Sequence, residues 1–214
     1  MAKAKKTRTR GAPRAKEAPV SDRREAILKA LNRCILRQGF SRSSLTDIAV
    51  EAGMSPSHIR YYFEGRDAIL EAYQEQICAQ ILESIRAIEA TDPDEWFNEF
   101  VTYFIATPWL TPARLNGMLE IYGISVHDKA LRRTKADFDT EIRRILTRHF
   151  ERIELVPSMT ATAAAEIAQA LEAGLKYTAA FQGRFDPIRA QERFVSTIRL
   201  MVSGTDKRTK GDVE

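Results

Sequence analysis

The chain of 214 residues is poor in cysteine and has no long apolar run, and both shortages exclude classes of protein. Its two cysteines, Cys34 and Cys78, stand alone in apolar helical contexts, so we expect neither a disulfide framework nor a metal site. They are interpreted as reduced residues in or near the core, with a redox-sensing thiol as the alternative. No apolar run approaches the roughly 20 residues that span a bilayer, and the charged N-terminus lacks the apolar segment of a signal peptide. We therefore expect a cytoplasmic protein without membrane contact.

Signatures of catalysis are also missing. The three histidines, His58, His127 and His149, lie far apart in the sequence. No serine lies in a nucleophile turn, and neither a Gly-rich phosphate loop nor paired Cys/His metal spacing occurs. We expect no enzyme, no cofactor and no bound metal.

Apolar spacings of three and four dominate what is present, and no strand pattern competes with them. They predict an all-α protein of about nine helices: a three-helix N-terminal domain followed by a larger helical domain. The predicted helices cover residues 22–38, 45–52, 56–63, 67–90, 91–107, 113–123, 127–154, 160–182 and 186–202. The first of these helices is predicted to start at Asp22.

The stretch from Leu45 to Phe63 predicts two short helices joined by a glycine turn. Ser44 is a candidate N-cap with Asp47 three residues on, and Gly53 suits the left-handed conformation of a helix end. The second helix starts at Ser55, with Pro56 in its first position. Its apolar face packs inward and its polar face is free, which is typical of a helix-turn-helix that reads the DNA major groove.

This stretch and the residues after it resemble the DNA-binding domain of the TetR family of bacterial transcriptional regulators. The resemblance rests on Ile48-Ala49, Glu51-Ala52-Gly53, Met54, Ser55, Ile59, Tyr62-Phe63, Arg66 and Ile69-Leu70. Ser57, Arg60 and Arg66 stand where the family often has Gly, Tyr and Lys, so the DNA sequence preference is not inherited from a relative. We divide the chain into a disordered basic arm (1–20), a helix-turn-helix domain (21–66), an effector-binding and dimerisation domain (67–204) and a disordered tail (205–214).

Charge is concentrated where the helix pair lies. Residues 1–20 have a net charge of +6 and residues 21–66 of +3, whereas residues 67–214 have −5. This positive end suits a partner rich in phosphate, namely double-stranded DNA. Base-edge contacts are assigned to Ser57, His58, Arg60 and Tyr61, and phosphate contacts to Thr46, Tyr62 and Arg66. Arg8, Arg10 and Arg14 of the arm are candidates for the minor groove; the alternative is a solvated tail.

The TetR resemblance implies that the larger domain binds a small effector between its helices. Candidate pocket residues are mostly large aromatics, which core packing alone would also explain: Phe100, Tyr103, Phe104, Trp109, Met118, Tyr122, His127, Phe138 and Tyr177. Asn116, Glu120 and Asp128 are polar groups expected near them. The segments Asp128-Lys129-Ala130-Leu131-Arg132-Arg133 and Glu172-Ala173-Gly174-Leu175 resemble the BetI-like branch, which senses choline-type or small polar metabolites; a hydrophobic or aromatic effector is the alternative.

Helices 160–182 and 186–202 carry more apolar surface than one contact requires, and Ala164, Ala168 and Gly174 permit close approach. We predict that they form a four-helix homodimer interface, with packing inside one chain as the alternative. Two-fold symmetry would then match a palindromic operator. The predicted function is a ligand-responsive transcriptional repressor; an architectural DNA-binding dimer without an effector is the alternative.

Overall fold

Nine α-helices and one π-helical segment make up most of the part of the chain that the structure, a computed structural model, describes: residues 19–89, 95–106, 110–182 and 185–203. The helices are α1 (Val20–Gln38), α2 (Leu45–Ala52), α3 (Pro56–Tyr62), α4 (Arg66–Glu89), α5 (Trp96–Val101), α6 (Pro112–Ser125), α7 (Lys129–Phe150), α8 (Ala161–Gln182) and α9 (Pro187–Arg199). The all-α prediction is confirmed. None of these helices is long and apolar enough to cross a membrane.

Four details of the predicted helices are wrong. Asp22 is not the start of α1: the helix begins after Pro19, and Asp22 lies in its first turn, where a carboxylate interacts favourably with the helix dipole. The helix predicted over 91–107 is α5 followed by a π-helical segment, Thr102–Ala106, while residues 91–94 lie outside the described ranges. The helix predicted to reach residue 154 ends at Phe150, and the one predicted to reach residue 202 ends at Arg199.

The chain beyond α7 leaves the helix because it pairs with the end of α9. Leu155 and Val202 form an isolated antiparallel bridge. The amide of Val156 donates to the carbonyl of Met201 at 2.9 Å, and that of Ser203 donates to the carbonyl of Glu154 at 2.8 Å. These hydrogen bonds satisfy the backbone groups that a longer helix would have used.

The apolar side chains form two main cores. The N-terminal core joins α1, α2 and α3, with Ile27, Leu31, Ile48 and Ile59 fully buried. It also includes Ile69 and Leu70 of α4, Ile121 of α6 and Leu131 of α7. The larger core fills the space between α4, α5, α7, α8 and α9. Since α4 contributes to both cores, and α6 and α7 reach into the first, the two parts of the molecule are packed directly on each other.

Helix α6 lies unusually close to α1 at Gly117. A β-carbon on Gly117 would lie 2.6 Å from Cγ2 of Ile35, closer than real side chains approach. Glycine is therefore required for this contact, which presses the second half of the chain against the first.

Candidate functional site

The helix pair α2–α3 is fixed by local hydrogen bonds at both of its starts. Ser44 Oγ accepts from the Asp47 amide at 3.1 Å, and Asp47 Oδ2 accepts from the Ser44 amide at 2.7 Å, which completes a capping box. Gly53 ends α2 with φ 65° and ψ 34°, in the left-handed region. Ser55 Oγ accepts from the His58 amide at 3.1 Å, and Pro56 opens α3. The predicted caps and turn are confirmed.

Helix α3 is anchored on one face and free on the other. Ile59 and Phe63 are buried in the N-terminal core, whereas Ser57, Arg60 and Tyr61 are exposed, Tyr61 to 76%. A helix held rigidly in this way presents the free side chains in one fixed arrangement, as entry into a major groove requires.

His58 and Tyr62, also on α3, are partly buried and pair with each other. Tyr62 Oη lies 3.4 Å from His58 Nε2, and the ring centroids are 5.4 Å apart. Thr46 is exposed on the first turn of α2. The contacts assigned to these three residues stay predictions.

A carboxylate braces α2 against α1. Glu51 Oε1 lies 2.5 Å from Arg33 Nε, and Glu51 Oε2 lies 2.8 Å from Arg37 Nη1. The hydrogen bond from Arg37, followed by that from Arg33, lowers the pKa of Glu51. The two arginines thus hold α2 against α1, and their charges are paired with Glu51 inside the domain.

Two further arginines hold backbone carbonyls. Arg24 Nη1 donates to the carbonyl of Tyr62 at 2.6 Å, at the end of α3, and its guanidinium lies 4.1 Å from the ring centroid of Phe63. Arg66 Nη1 donates to the carbonyl of Ser43 at 3.1 Å and packs on the ring of Phe40 at 4.4 Å. Arg66 Nε also lies 3.5 Å from Asp67 Oδ1. The phosphate contact assigned to Arg66 stays a prediction, and it would use the donors that Ser43 and Asp67 leave free.

Arg60 contrasts with these arginines. In residues 19–89 and the other described ranges, no hydrogen bond or ion pair involves its guanidinium. An arginine has five N–H donors in a fixed fork, which matches the two acceptors on the major-groove edge of guanine. Its charge on α3 is therefore available to a partner. Arg8, Arg10 and Arg14, assigned to the minor groove, lie outside the described residues.

A cavity of about 900 Å³ lies between α1, α4, α6, α7, α8 and the π-helical segment. Six of the residues assigned to a pocket from the sequence lie in its wall: Phe100, Tyr103, Phe104, Met118, Tyr122 and Phe138. Tyr103 and Phe104 belong to the π-helical segment; such irregular turns occur frequently at functional sites. Tyr177 also lines the cavity but is 56% exposed, so it lies at the opening along α8.

Two residues assigned to the pocket do not lie in the described wall. His127 is exposed in the turn between α6 and α7 and is not in contact with the cavity. Trp109 lies outside the described residues. Asp128, expected nearby, caps α7 instead: its Oδ1 accepts from the Leu131 amide at 2.9 Å.

Charged groups that were not assigned to the pocket from the sequence also lie in the wall. Lys135 and Asp139 pair along α7, with 2.5 Å between Nζ and Oδ2, and Glu172 pairs with Lys176 along α8. Their spacing of four residues is readable in the sequence, but which way each pair faces is not. Lys176 is only 7% exposed.

Cys78, also in the wall, is partly buried, and this burial raises the pKa of its thiol to about 11. The pKa of Cys34 is raised by burial as well. Reactive thiols have lowered pKa values, so neither cysteine has the character of a redox sensor. Cys34 lies in the N-terminal core, and Cys78 lies beside the cavity. Among the described residues, no group of three His, Cys, Asp or Glu side chains is arranged to hold a metal ion.

Glu120 of α6 connects the cavity to the helix-turn-helix. Its Oε2 accepts from the Phe40 amide and its Oε1 from the Ser41 amide, each at 2.7 Å, in the loop before α2. Burial raises the pKa of Glu120, but the hydrogen bonds from Ser41 and Phe40 outweigh it and the net shift is downward. Gly39 makes room for the carboxylate: it has φ 84°, and a β-carbon there would lie 2.8 Å from Oε2. The residues around Glu120 on α6 line the cavity.

Helix α8 leaves an apolar stripe uncovered. Ile167, Tyr177 and Phe181 are exposed, Phe181 to 73%, and Gly174 lies between them. Ala164 and Ala168, which the sequence assigned to close approach of a second chain, are buried against the chain's own core instead. That part of the prediction is wrong, because both small residues serve the packing of α8 within the chain.

Family models match both parts of the chain. Residues 27–73 match the model of bacterial regulatory proteins of the tetR family, and residues 93–202 match that of the C-terminal part of BetI-type transcriptional repressors. The chain belongs to the TetR family. It is a DNA-binding transcriptional regulator with a helix-turn-helix domain and a BetI-type C-terminal domain.

Curated TetR-family relatives carry the BetI name. The HTH-type transcriptional regulator BetI 2 of Chromohalobacter salexigens is 26% identical over 135 residues, which are 61% of this chain and 65% of that protein. BetI of Stenotrophomonas maltophilia is 26% identical over 156 residues, which are 72% of this chain and 79% of that protein. The match thus spans just under two thirds of the first relative and more of the second.

Solved structures share the TetR-family fold. A TetR transcription regulator from Haloarcula marismortui has a TM-score of 0.76 at 19% identity, over 85% of this chain and 99% of that one. A regulator from Saccharomonospora viridis, solved in complex with choline, has a TM-score of 0.78 at 21% identity, over 86% of this chain and all of the other. At these identities the likeness shows the fold.

Proposed function

We propose that this TetR-family regulator is a homodimeric repressor that a small molecule, bound in the cavity, releases from a palindromic operator. The observation that carries the proposal is that α6 both lines the cavity and holds the loop before α2 through Glu120. A ligand that displaces α6 would therefore act directly on the DNA-binding domain. Residues 21–66 are proposed as that domain, 67–204 as the effector-binding and dimerisation domain, 1–20 as a basic arm and 205–214 as a tail.

The release is a shift between two conformers. One places the two α3 helices of the dimer roughly 34–36 Å apart, one turn of DNA, and the other does not. The effector shifts the balance only by as much as it binds the second conformer better than the first. The tight contact between Gly117 and α1 supports this mechanism, because a close-packed contact transmits displacement of α6 without absorbing it.

On DNA, Arg60 is proposed to read a guanine, with Ser57, His58 and Tyr61 at neighbouring base edges. The exposure of Arg60 and its freedom from internal hydrogen bonds support this assignment. Thr46, Tyr62 and Arg66 are proposed to contact phosphates. If the arm enters the minor groove, deletion of residues 1–18 lowers both the affinity and its dependence on salt.

The dimer is proposed to form through α8 and α9. Ile167, Tyr177 and Phe181 on α8, with Ile188 on α9, are large apolar side chains that remain exposed. A second copy of the chain would cover them and narrow the opening of the cavity at Tyr177.

The effector is proposed to be larger than choline, which the Saccharomonospora viridis protein binds. Pockets of roughly 300–1,000 Å³ hold drug-sized ligands, and a cavity of about 900 Å³ would remain mostly empty around choline. The aromatic and aliphatic wall supports a mainly apolar molecule.

A gel-shift of the DNA upstream of the chain's own gene, titrated with a metabolite panel, tests this function. Preference over random DNA and release by one class of compound are expected. The variant Met118→Trp, which fills part of the cavity, should require more of that compound, while Val126→Trp on the surface should not. Binding without sequence preference and without release by any compound would overturn the proposal in favour of an architectural dimer.

A further inference from the structure

Two ion pairs of the cavity wall lie on neighbouring helices. Lys135 and Asp139 of α7 and Glu172 and Lys176 of α8 meet around Tyr122 of α6. Burial, followed by the negative charges of Glu172 and Asp139, raises the pKa of Tyr122, so its phenol stays neutral. We call these five residues the lysine cluster. Its formal charge is zero, so the net charge of the cluster does not determine whether the ligand is an anion or a cation.

The aromatic faces beside the lysine cluster already carry cations. Lys135 Nζ lies 4.6 Å from the ring centroid of Tyr122, and Lys176 Nζ lies 5.2 Å from that of Phe104. Ring faces at these distances attract an ammonium group. A quaternary ammonium ligand would have to displace one of the protein's own cations from its ring, so these faces do not form a site for a positively charged effector.

The ammonium of Lys176 has hydrogen-bond donors to spare. It has three N–H donors, and within the described ranges its polar partner is the carboxylate of Glu172. Its side chain is 9% exposed, so water satisfies little of the remainder. The side chains of Glu172 and Asp139 are more open, at 19% and 31%, and their free oxygen positions reach solvent more easily. Among these charged groups, the most deeply buried one with unused hydrogen-bonding capacity is thus the donor Lys176, which requires an acceptor on the ligand.

The rest of the wall is mixed. Arg143 and Glu166 also line it and pair at 3.9 Å, but their side chains are 41% and 58% exposed, far more than that of Lys176, and much of the remainder is apolar. Phe100, Ile142, Leu146 and Phe194 line the cavity and are buried in the larger core. A ligand that contacts both Lys176 and these apolar side chains has an apolar body and a head that accepts hydrogen bonds.

We propose that the effector is an amphipathic anion, an apolar chain or ring system bearing a carboxylate, whose head is bound by Lys176 while its body lies against the phenylalanines. This inference rests on the proposed function only in taking the cavity as the effector site. Lys135 supplies a second positive charge beside the head. In this arrangement Glu172 competes with the ligand for Lys176, so Glu172 limits affinity as well as holding the lysine in place.

Three probes with the same alkyl tail separate the head groups: decanoate, decanol and decyltrimethylammonium, each below its micelle concentration. Binding to the full chain is measured by isothermal titration calorimetry. Decanoate should bind roughly tenfold to hundredfold more tightly than decanol, the range expected for a hydrogen bond to a charged group, and decyltrimethylammonium should bind least tightly. Absence of decanoate binding, or ammonium binding as tight as that of decanoate, overturns the proposal.

Variants locate the head group. Lys176→Met should remove the advantage of decanoate over decanol and leave decanol unchanged, whereas Lys129→Met, on the exposed start of α7, should change neither. Glu172→Gln keeps Lys176 but removes the carboxylate that pairs with it, so decanoate should bind several-fold more tightly. An advantage of decanoate that survives Lys176→Met, or weaker decanoate binding in Glu172→Gln, contradicts the assignment.

A parallel gel-shift keeps this inference apart from the proposed function. Tight decanoate binding that depends on Lys176 but leaves the DNA complex intact supports the site and refutes effector-driven release. Release by decyltrimethylammonium but not by decanoate refutes the anionic class and supports release.

Discussion

Replacing Glu120 by glutamine tests the connection between the cavity and the DNA-binding domain. The carboxylate accepts two backbone N–H groups, from Phe40 and Ser41, at 2.7 Å each. Glutamine keeps one acceptor oxygen but turns an NH₂ group toward the second N–H. One hydrogen bond is therefore lost, and the other no longer has a charged acceptor.

The cost follows from these two bonds. A hydrogen bond to a charged group contributes about 1.5–3 kcal/mol, and a neutral one about 1 kcal/mol. Ser41 is exposed, so its amide can return to water, but Phe40 is buried and its amide cannot. We expect the free energy of unfolding to fall by about 2–3 kcal/mol, which lowers Tm by about 4–12 °C in a chain of this size.

DNA binding should weaken as well. Without both hydrogen bonds from Glu120, the loop before α2 samples conformers in which α3 is misplaced. The apparent Kd for DNA rises as the fraction of molecules in the DNA-binding conformer falls. Urea unfolding and fluorescence anisotropy with labelled upstream DNA measure the two effects. Glu83→Gln, at an exposed position on α4, is the matched control. If the free energies of unfolding and of DNA binding of E120Q and E83Q agree within about 0.5 kcal/mol, the hydrogen bonds of Glu120 do not couple the domains.

Three further predictions concern other parts of the molecule. Arg60→Ala should cost about 1–3 kcal/mol of operator affinity and relax the preference at one base pair; an equal loss on random DNA would mean a phosphate contact. Burial, followed by the charge of Arg152, lowers the pKa of His149 from 6.5 to about 4, so the unfolded chain binds a proton in that range that the folded chain does not. Stability should fall by about 1–2 kcal/mol as the pH drops through this window, allowing for partial exposure, and His149→Phe should remove that share of the slope in urea titrations; an unchanged slope would exclude His149 as its source. Phe181→Asp should give a monomer in sedimentation velocity, whereas Val126→Asp should not; a dimer that persists would exclude the α8 stripe as the interface.

Local features of the fold were predictable from the sequence because their causes are local. The caps at Ser44 and Ser55 and the turn at Gly53 depend on residues within a few positions of each other. The TetR resemblance was carried by the same short stretch, and it is confirmed by family models that cover both domains.

Features that depend on distant partners were not predictable. Glu120 and Phe40 are 80 residues apart, so nothing near Glu120 indicates that it binds a loop of the other domain. Alanine fits both a core and an interface, and the spacing of Ala164 and Ala168 did not reveal that they face inward. The π-helical segment contains apolar residues that would fit an α-helix equally well. Its wider turn therefore cannot be recognised from the spacing of apolar residues in the sequence.

The two faces of α3 separate stability from recognition. Ile59 and Phe63 hold the helix, while Ser57, Arg60 and Tyr61 project from it without contributing to the core. Substitutions at such exposed positions usually change stability by no more than about 0.5 kcal/mol. Duplicated copies of this gene could therefore acquire new operators one exposed residue at a time while the domain stays folded, and the same three positions are where a library for altered DNA specificity should begin.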